Sequence, residues 1–351
     1  MRLGMIVDYS GGFEQTAELL QDYEAAGLQL AAVAEAYSFD AVSQLGYLAA
    51  KTRDVEIASA ILQIYSRTPA LLAMTAAGLD FVSSGRFTLG IGASGPQVVE
   101  GFHGVPYDAP LGRTREVIDI CRKVWRREKL EHSGKHYTIP LPADQGTGLG
   151  KPLKLINTPV RERIPISVAA LGPANVALVA ELAESWQPLF FHAAHYRKAW
   201  GESLDKGFAK RDPELGPLDI MLQVSFAVGT ASDEALAAIR NQLALYIGGM
   251  GAADKNFYNQ LAQRYGYVDE AAEIQRLYLS GQKAEAAAVV PEDLVRAVSL
   301  LGTADEIAAQ LKEFEDAGVT TLLLNPLGAT PEDRVRDVAT LAKLNRADPA
   351  V

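Results

Sequence analysis

The chain is constrained first by a grammar it keeps repeating: a short apolar run, a loop of small or polar residues, a helix, and then the next apolar run. Residues 3–7 form the first such run, and residues 13–26 follow with helical spacing (Ala17, Leu20, Tyr23) until Gly27 stops the turn. The junction Glu24-Ala25-Ala26-Gly27-Leu28 is echoed far downstream by Glu315-Asp316-Ala317-Gly318-Val319. In both places a helix ends on Ala-Gly and an apolar strand begins at once. Sustained alternation of this kind predicts a parallel sheet, open or closed. Eight strands are readable, at 3–7, 28–34, 55–62, 86–92, 165–169, 185–190, 220–228 and 320–324. Eight favours closure, so the expected fold is α/β, a (β/α)8 TIM barrel. The whole chain, 1–351, reads as one domain with insertions at about 129–164 and 248–301. The first insertion, rich in Gly, Pro and polar residues, is too long for a bare connection and is expected to cover the barrel mouth.

Charge and composition narrow the function. A formal net charge of −10 argues against general nucleic-acid binding and against anionic membranes. No apolar run approaches the ~18 residues of a membrane span. Met1 runs straight into strand-like sequence, so no signal peptide is expected, and the cytoplasm is the expected location. Cys121 is the lone cysteine and sits among Val117, Ile118 and Val124 on a helix, which reads as core. His132 and His136 are interrupted by Ser133-Gly134 and no carboxylate triad accompanies them, so no metal site is expected. There is no G-x-S-x-G elbow for a serine nucleophile.

In parallel α/β folds chemistry sits at the carboxyl ends of strands. The candidate site is therefore the stretch 85–104, where Phe87, Leu89 and Ile91 alternate and Gly90, Gly92 and Gly95 open a loop without bulk. By letter this is G-x-G-x-x-G, yet it follows the fourth strand, and Gly90 lies inside that strand. A dinucleotide turn, a tight βα turn without a ligand, and a backbone cradle for a flat ligand all remain open. Leu171-Gly172-Pro173-Ala174-Asn175 opens a helix directly after a strand, either an ordinary helix start or an anion site. The small residues Ala58-Ser59-Ala60 before Ile61 read as a bulge pressing on a ligand or as filling for a crowded interior. Asp8 and Glu35 end strands one and two, and Arg67 precedes Pro69. These are acid–base candidates or structural ion-pair partners. Lys151, Lys154, Arg161 and Arg163 cluster in an otherwise acidic chain, either as a solvated loop or as a handle for an anionic cofactor tail.

The run Ala60-Ile61-Leu62-Gln63-Ile64-Tyr65-Ser66-Arg67-Thr68-Pro69, followed by Gly85-Arg86-Phe87-Thr88-Leu89-Gly90-Ile91-Gly92, resembles the bacterial luciferase-like superfamily. Glu100-Gly101-Phe102-His103-Gly104, Arg113-Thr114-Arg115-Glu116, Trp125, Lys151-Pro152 and Ile164-Pro165 continue the match in order. Within that superfamily, 90–104 and 171–175 look most like the branch that uses the deazaflavin coenzyme F420, with methylenetetrahydromethanopterin reductase nearest in style. The resemblance implies a (β/α)8 barrel with the cofactor ring at its mouth and a non-prolyl cis peptide at Ala60–Ile61 behind that ring. It implies a phosphate site at Gly172, Pro173, Ala174 and Asn175. Ser94, Gly95 and Pro96 would lie along the ring, with Asp8 as a further cofactor contact. The implied activity is hydride transfer between the deazaflavin C5 and a small organic substrate. The histidine and glutamate of the F420 sugar dehydrogenases are replaced by Ala36 and Gly95, which favours reduction of an activated C=C, C=N or carbonyl, with Glu35 and Tyr37 as proton relay. The alternatives are a monooxygenase using reduced FMN on the same barrel and a non-catalytic flavin-binding barrel. The partners expected are a small-molecule substrate and a second copy in a homodimer.

Overall fold

In the computed structural model, residues 1–9, 11–229, 231–251 and 255–346 are described. Eight parallel strands close on themselves: β1 (Arg2–Ile6), β2 (Leu30–Val33), β3 (Glu56–Ser59), β4 (Phe87–Gly92), β5 (Ile166–Ala169), β6 (Ser185–Gln187), β7 (Asp219–Val228) and β8 (Val319–Pro326). Neighbours in sequence are neighbours in space, and β8 pairs back onto β1 with Leu3 beside Leu322, which closes the barrel. All eight expected strands are present, and the (β/α)8 reading holds.

Alternation along each strand separates two cores. Leu3, Val33, Ile57, Leu89, Ile91 and Ile166 face the surrounding helices. Leu30, Ala32, Ala58, Met221 and Leu323 face inward and fill the barrel, with Ile6 and Ala60 packed on them. The N-terminal end is closed by charge: Arg2 forks to Glu56 at 2.7 Å and Asp219 at 2.8 Å. Helix starts are marked as the sequence suggests, with Thr68 capping Pro69–Val82 and a capping box between Thr303 and Glu306.

The insertions behave differently from expectation. Within 129–164, the hairpin of His132–Ser133 and Thr138–Ile139 is pinned outside the barrel, on the helix Pro110–Trp125. There the Glu116 carboxylate accepts from the N–H groups of Lys135 and Tyr137, each at 2.9 Å. The segment thus flanks an outer helix, while its Tyr137 lines a cleft with Ile64, Tyr65 and Arg67 beyond the end of β3. The second insertion reaches the mouth more fully, where Phe257 lies beside Gly172. Its helices Phe257–Tyr265, Val268–Leu279, Lys283–Ala288 and Glu292–Ala297 follow the helix Asp233–Gly249, and the chain returns through a strand, Ser299–Gly302, paired on the end of β7. Residues 252–254 within it lie outside the described residues. Among the described residues no helix is long and apolar enough to cross a membrane.

Candidate functional site

The site is built on the meeting of β3 and β4. After Ser59 the ladder between them breaks, and pairing resumes only at Leu62 with Ile91 and Gln63 with Gly92. The chain bulges in between, and the Ala60–Ile61 peptide is cis, where the family resemblance located it. Gly90 and Gly92 exist to admit this bulge. A Cβ on Gly90 would lie 1.7 Å from the Ser59 carbonyl oxygen, and one on Gly92 would meet the Ile61 side chain at 2.9 Å. The glycine letters therefore encode backbone approach inside a strand. Gly95 merely caps a four-residue helix, Pro96–Val99, so the dinucleotide-turn reading is set aside.

Gln63 is the residue the sequence reading missed. It pairs with Gly92, whose absent side chain would point at Ala169, on the inward side shared by Ser167 and Met221. Gln63 thus faces the barrel axis just above the packed interior. It is 0% exposed, and neither its Oε1 nor its Nε2 has a hydrogen-bond partner among the described residues. A buried amide with both ends unpaired is an open recognition group. The one sequence signal was a polar residue between Leu62 and Ile64 in a barrel strand.

Across the mouth, the helix Pro173–Leu182 starts at Gly172 with no side-chain cap, so Ala174 and Asn175 present first-turn N–H groups outward. The loop before it is fixed by two buried tryptophans. Trp186 Nε1 donates to the Ala170 carbonyl at 2.9 Å and Trp200 Nε1 to that of Leu171 at 2.8 Å. The Phe257 ring of the second insertion lies 3.4 Å from where a Gly172 side chain would begin.

The other expected residues are placed as follows. Ser94 has a left-handed backbone (φ 58°), and its carbonyl accepts from the Tyr107 hydroxyl at 3.3 Å, directly ahead of Gly95 and Pro96. Asp8 sits at the end of β1 and accepts from the Thr16 hydroxyl at 2.8 Å. Arg67 binds both oxygens of Glu35, at 2.6 and 2.8 Å, and the Ala41 N–H donates to one of them at 3.1 Å. The same guanidinium reaches Asp40 at 2.9 Å, and these carboxylates hold the charge on Arg67. Both Glu35 oxygens are thus engaged, in the ion pair with Arg67 and in the bond from the Ala41 N–H. Tyr37 is 70% exposed, with its ring centroid 6.3 Å from that of Phe102.

The basic cluster is corrected too. Arg161 is locked onto buried Asp80 and the Phe87 carbonyl, and Arg163 onto Glu184 at 2.9 Å. Phe87 and Glu184 mark the N-terminal ends of β4 and β6, the face opposite Gly172. These arginines brace the barrel floor and cannot serve a cofactor tail at the mouth. His132 is held by Glu116 at 3.1 Å and Asp119 at 3.2 Å.

The family model described as luciferase-like monooxygenase matches residues 1–321. A Mycobacterium tuberculosis protein named for a proposed coenzyme F420-dependent oxidoreductase activity is 40% identical over 346 residues, covering 97% of this chain and 99% of its own length. The 5,10-methylenetetrahydromethanopterin reductase of Archaeoglobus fulgidus is 26% identical over 310 residues, covering 86% of this chain and 85% of its own. In fold, the chain is similar to the coenzyme F420-dependent tetrahydromethanopterin reductase of Methanopyrus kandleri, with a TM-score of 0.78 at 21% identity over 96% of this chain and 97% of that one. It is similar also to an F420-dependent secondary alcohol dehydrogenase, with a TM-score of 0.76 at 16% identity over 99% of both chains. The chain belongs to the luciferase-like monooxygenase family.

Proposed function

We propose that this protein is a coenzyme F420-dependent oxidoreductase that reduces an activated C=C, C=N or carbonyl in a small organic substrate. The observation that carries the reading is the Gln63 amide, buried and unpartnered on the axis beside the Ala60–Ile61 bulge. The pyrimidine edge of a deazaflavin offers both carbonyl acceptors and N–H donors, which one free amide can meet with its two ends. Gly172, Pro173, Ala174 and Asn175 would hold the cofactor phosphate on the helix start, Ser94, Gly95 and Pro96 would flank the ring, and Asp8 would stand at the rim. When bound, the reduced coenzyme supplies a hydride from C5 to the substrate carbon, and a proton completes the reduction. The protein's part is to orient the two partners and exclude water. The 40% identical relative, with nearly full coverage of both chains, supports F420 over FMN.

The test is a fluorescence titration of oxidised F420 and of FMN at low and high salt. Micromolar F420 binding that weakens with salt, with FMN much poorer, is expected. Tight FMN binding with indifferent F420 would move the protein to the oxygen-using monooxygenases, and no binding of either would remove the enzyme reading.

The homodimer belongs to the same proposal. The helix Pro69–Val82 exposes Leu71, Met74, Phe81 and Val82 along one side, an apolar stripe suited to a second copy. Light scattering on the eluted protein should give twice the chain mass, and a monomer mass rejects this part.

A further inference from the structure

Three aromatic rings come together at the mouth, one of them on the second insertion. Phe190 follows β6, Tyr246 lies near the end of the helix Asp233–Gly249, and Tyr258 opens the helix Phe257–Tyr265. Tyr246 and Tyr258 meet edge to face at 4.7 Å, and Phe190 stands 5.3 Å from the first and 6.1 Å from the second. Resting on the reductase reading above, we infer that the substrate is an uncharged, largely apolar molecule with a hydrogen-bond-accepting oxygen, laid against the Phe190–Tyr246–Tyr258 wall.

Three independent features point there. The first is the backbone of Phe190, left-handed at φ 55°. A bulky residue in that region is strained and persists only where the surroundings impose it. Here the Tyr265 hydroxyl donates to the Phe190 carbonyl at 2.9 Å, from the same helix that carries Tyr258. The insertion thus sets the angle of the ring it packs against.

The second feature is the hydroxyls. Neither that of Tyr246 nor that of Tyr258 has a hydrogen-bond partner among the described residues. Burial raises the pKa of each, followed by Tyr9 for Tyr246 and by Tyr246 for Tyr258, so both stay protonated donors at neutral pH. A donor on an apolar wall selects an acceptor on an apolar body. A carbonyl oxygen fits, and it is the atom that gains electron density during reduction.

The third is the state of the charges. Arg67 is taken by Glu35 and Asp40, and Arg113 by Asp108 at 2.9 Å, with its guanidinium also lying over the Tyr65 and Tyr137 rings. Neither arginine is left to receive a substrate carboxylate or phosphate. On the opposite rim, Tyr37 and Phe102 come from different loops, touch, and are 70% and 65% exposed. In an eight-stranded barrel β2 faces β6 across the axis, so apolar surface flanks the mouth on both sides.

Calorimetric titration of benzylideneacetone and of its para-carboxylate, with and without saturating oxidised F420, tests this. The neutral probe should bind at least about tenfold more tightly than the carboxylate, because the wall gives a charge no partner. Tyr258→Phe, which keeps the ring and its packing, or Tyr246→Phe should weaken the neutral probe about 3–10-fold while F420 affinity stays at the wild-type value. Equal binding of the two probes, preference for the carboxylate, or no binding of the neutral probe up to its solubility limit overturns the inference. So does neutral-probe affinity unmoved in both tyrosine variants. Failure of F420 itself to bind would remove the reductase reading instead, and the probe titration on the unloaded protein would still decide the character of the wall.

Discussion

The Ser59 hydroxyl serves both main-chain groups of Gly90: it donates to the Gly90 carbonyl oxygen at 2.8 Å and accepts from the Gly90 N–H at 2.8 Å. Two neighbouring strands are thereby joined through a side chain at the point where their ladder fails. Ser59 is fully buried, so no water can take over these bonds.

Gly90→Ala should be among the most damaging small substitutions in the chain. Its methyl would have to occupy the position of the Ser59 carbonyl oxygen, and backbone cannot yield as a flexible side chain can. A loss of about 3 kcal/mol or more in urea denaturation is expected. Ser59→Ala should cost less, about 1–3 kcal/mol, since it leaves two buried groups unpaired without a clash. An alanine at position 90 with a wild-type midpoint would refute this account of the glycines.

Gln63→Leu should move stability and binding in opposite directions. In the unliganded protein the buried amide has no partner, so an apolar residue of similar volume should leave stability unchanged or raise it by about 1 kcal/mol. The same change should weaken F420 binding at least about tenfold, the worth of a lost buried hydrogen-bond pair. A variant that loses stability and keeps affinity would mean that Gln63 is a structural residue.

Breaking the Glu35–Arg67 pair should read as a folding defect. Their side chains are only 9% and 14% exposed, and Arg67 also holds Asp40 at the start of the next helix. Glu35→Ala is expected to cost about 3–5 kcal/mol by leaving a buried guanidinium undercompensated. Once folded, the variant should show a pH profile for turnover with unshifted limbs. A limb that disappears would restore Glu35 as an acid–base group.

These cases also mark what the sequence could and could not carry. All eight barrel strands were readable because apolar runs, Ala-Gly helix stops and capping residues are local signals. The break in β3 was offered by the small residues Ala58-Ser59-Ala60 only as one of two readings, since 57–62 is continuously apolar or small and the interruption is admitted by the opposite strand's glycines. Arg161 was misread for a related reason. A cation in a Gly- and Pro-rich segment looks solvated, and nothing local announces a buried Asp80 partner 81 residues earlier. Phe190, Tyr246 and Tyr258 each carry ordinary core periodicity. Their convergence depends on how the second insertion folds back on the mouth.

His192 supplies a pH dependence. Burial, and then the neighbouring His195, pushes its pKa down from 6.5 to about 4, and its Nδ1 is enclosed without a partner. The unfolded chain therefore binds a proton that the folded chain refuses between these values. Stability from this group is complete above about pH 6.5 and falls as the pH drops toward 4. Thermal unfolding followed across that window should show the decline, and His192→Gln should flatten it. An unchanged slope in the variant would assign the acid sensitivity to other groups.

The helix start at Gly172 allows a sharper test of the phosphate site, because one substitution should strengthen the protein and weaken the cofactor. Gly172 has an extended backbone (φ −67°, ψ 142°) that any residue adopts, and no side chain caps the helix it begins. Aspartate there would accept from the free N–H groups of the first turn and favour the helix dipole, adding about 0.5–1 kcal/mol. The same carboxylate would occupy and repel the position proposed for the phosphate, so F420 affinity should fall by at least about tenfold while the melting temperature holds or rises. Gly172→Asn, a cap of nearly the same shape without the charge, should keep the stability gain and lose less affinity. If Gly172→Asp binds F420 as the wild type does, the anion lies elsewhere on the mouth, and the role given to Gly172, Pro173, Ala174 and Asn175 must be withdrawn.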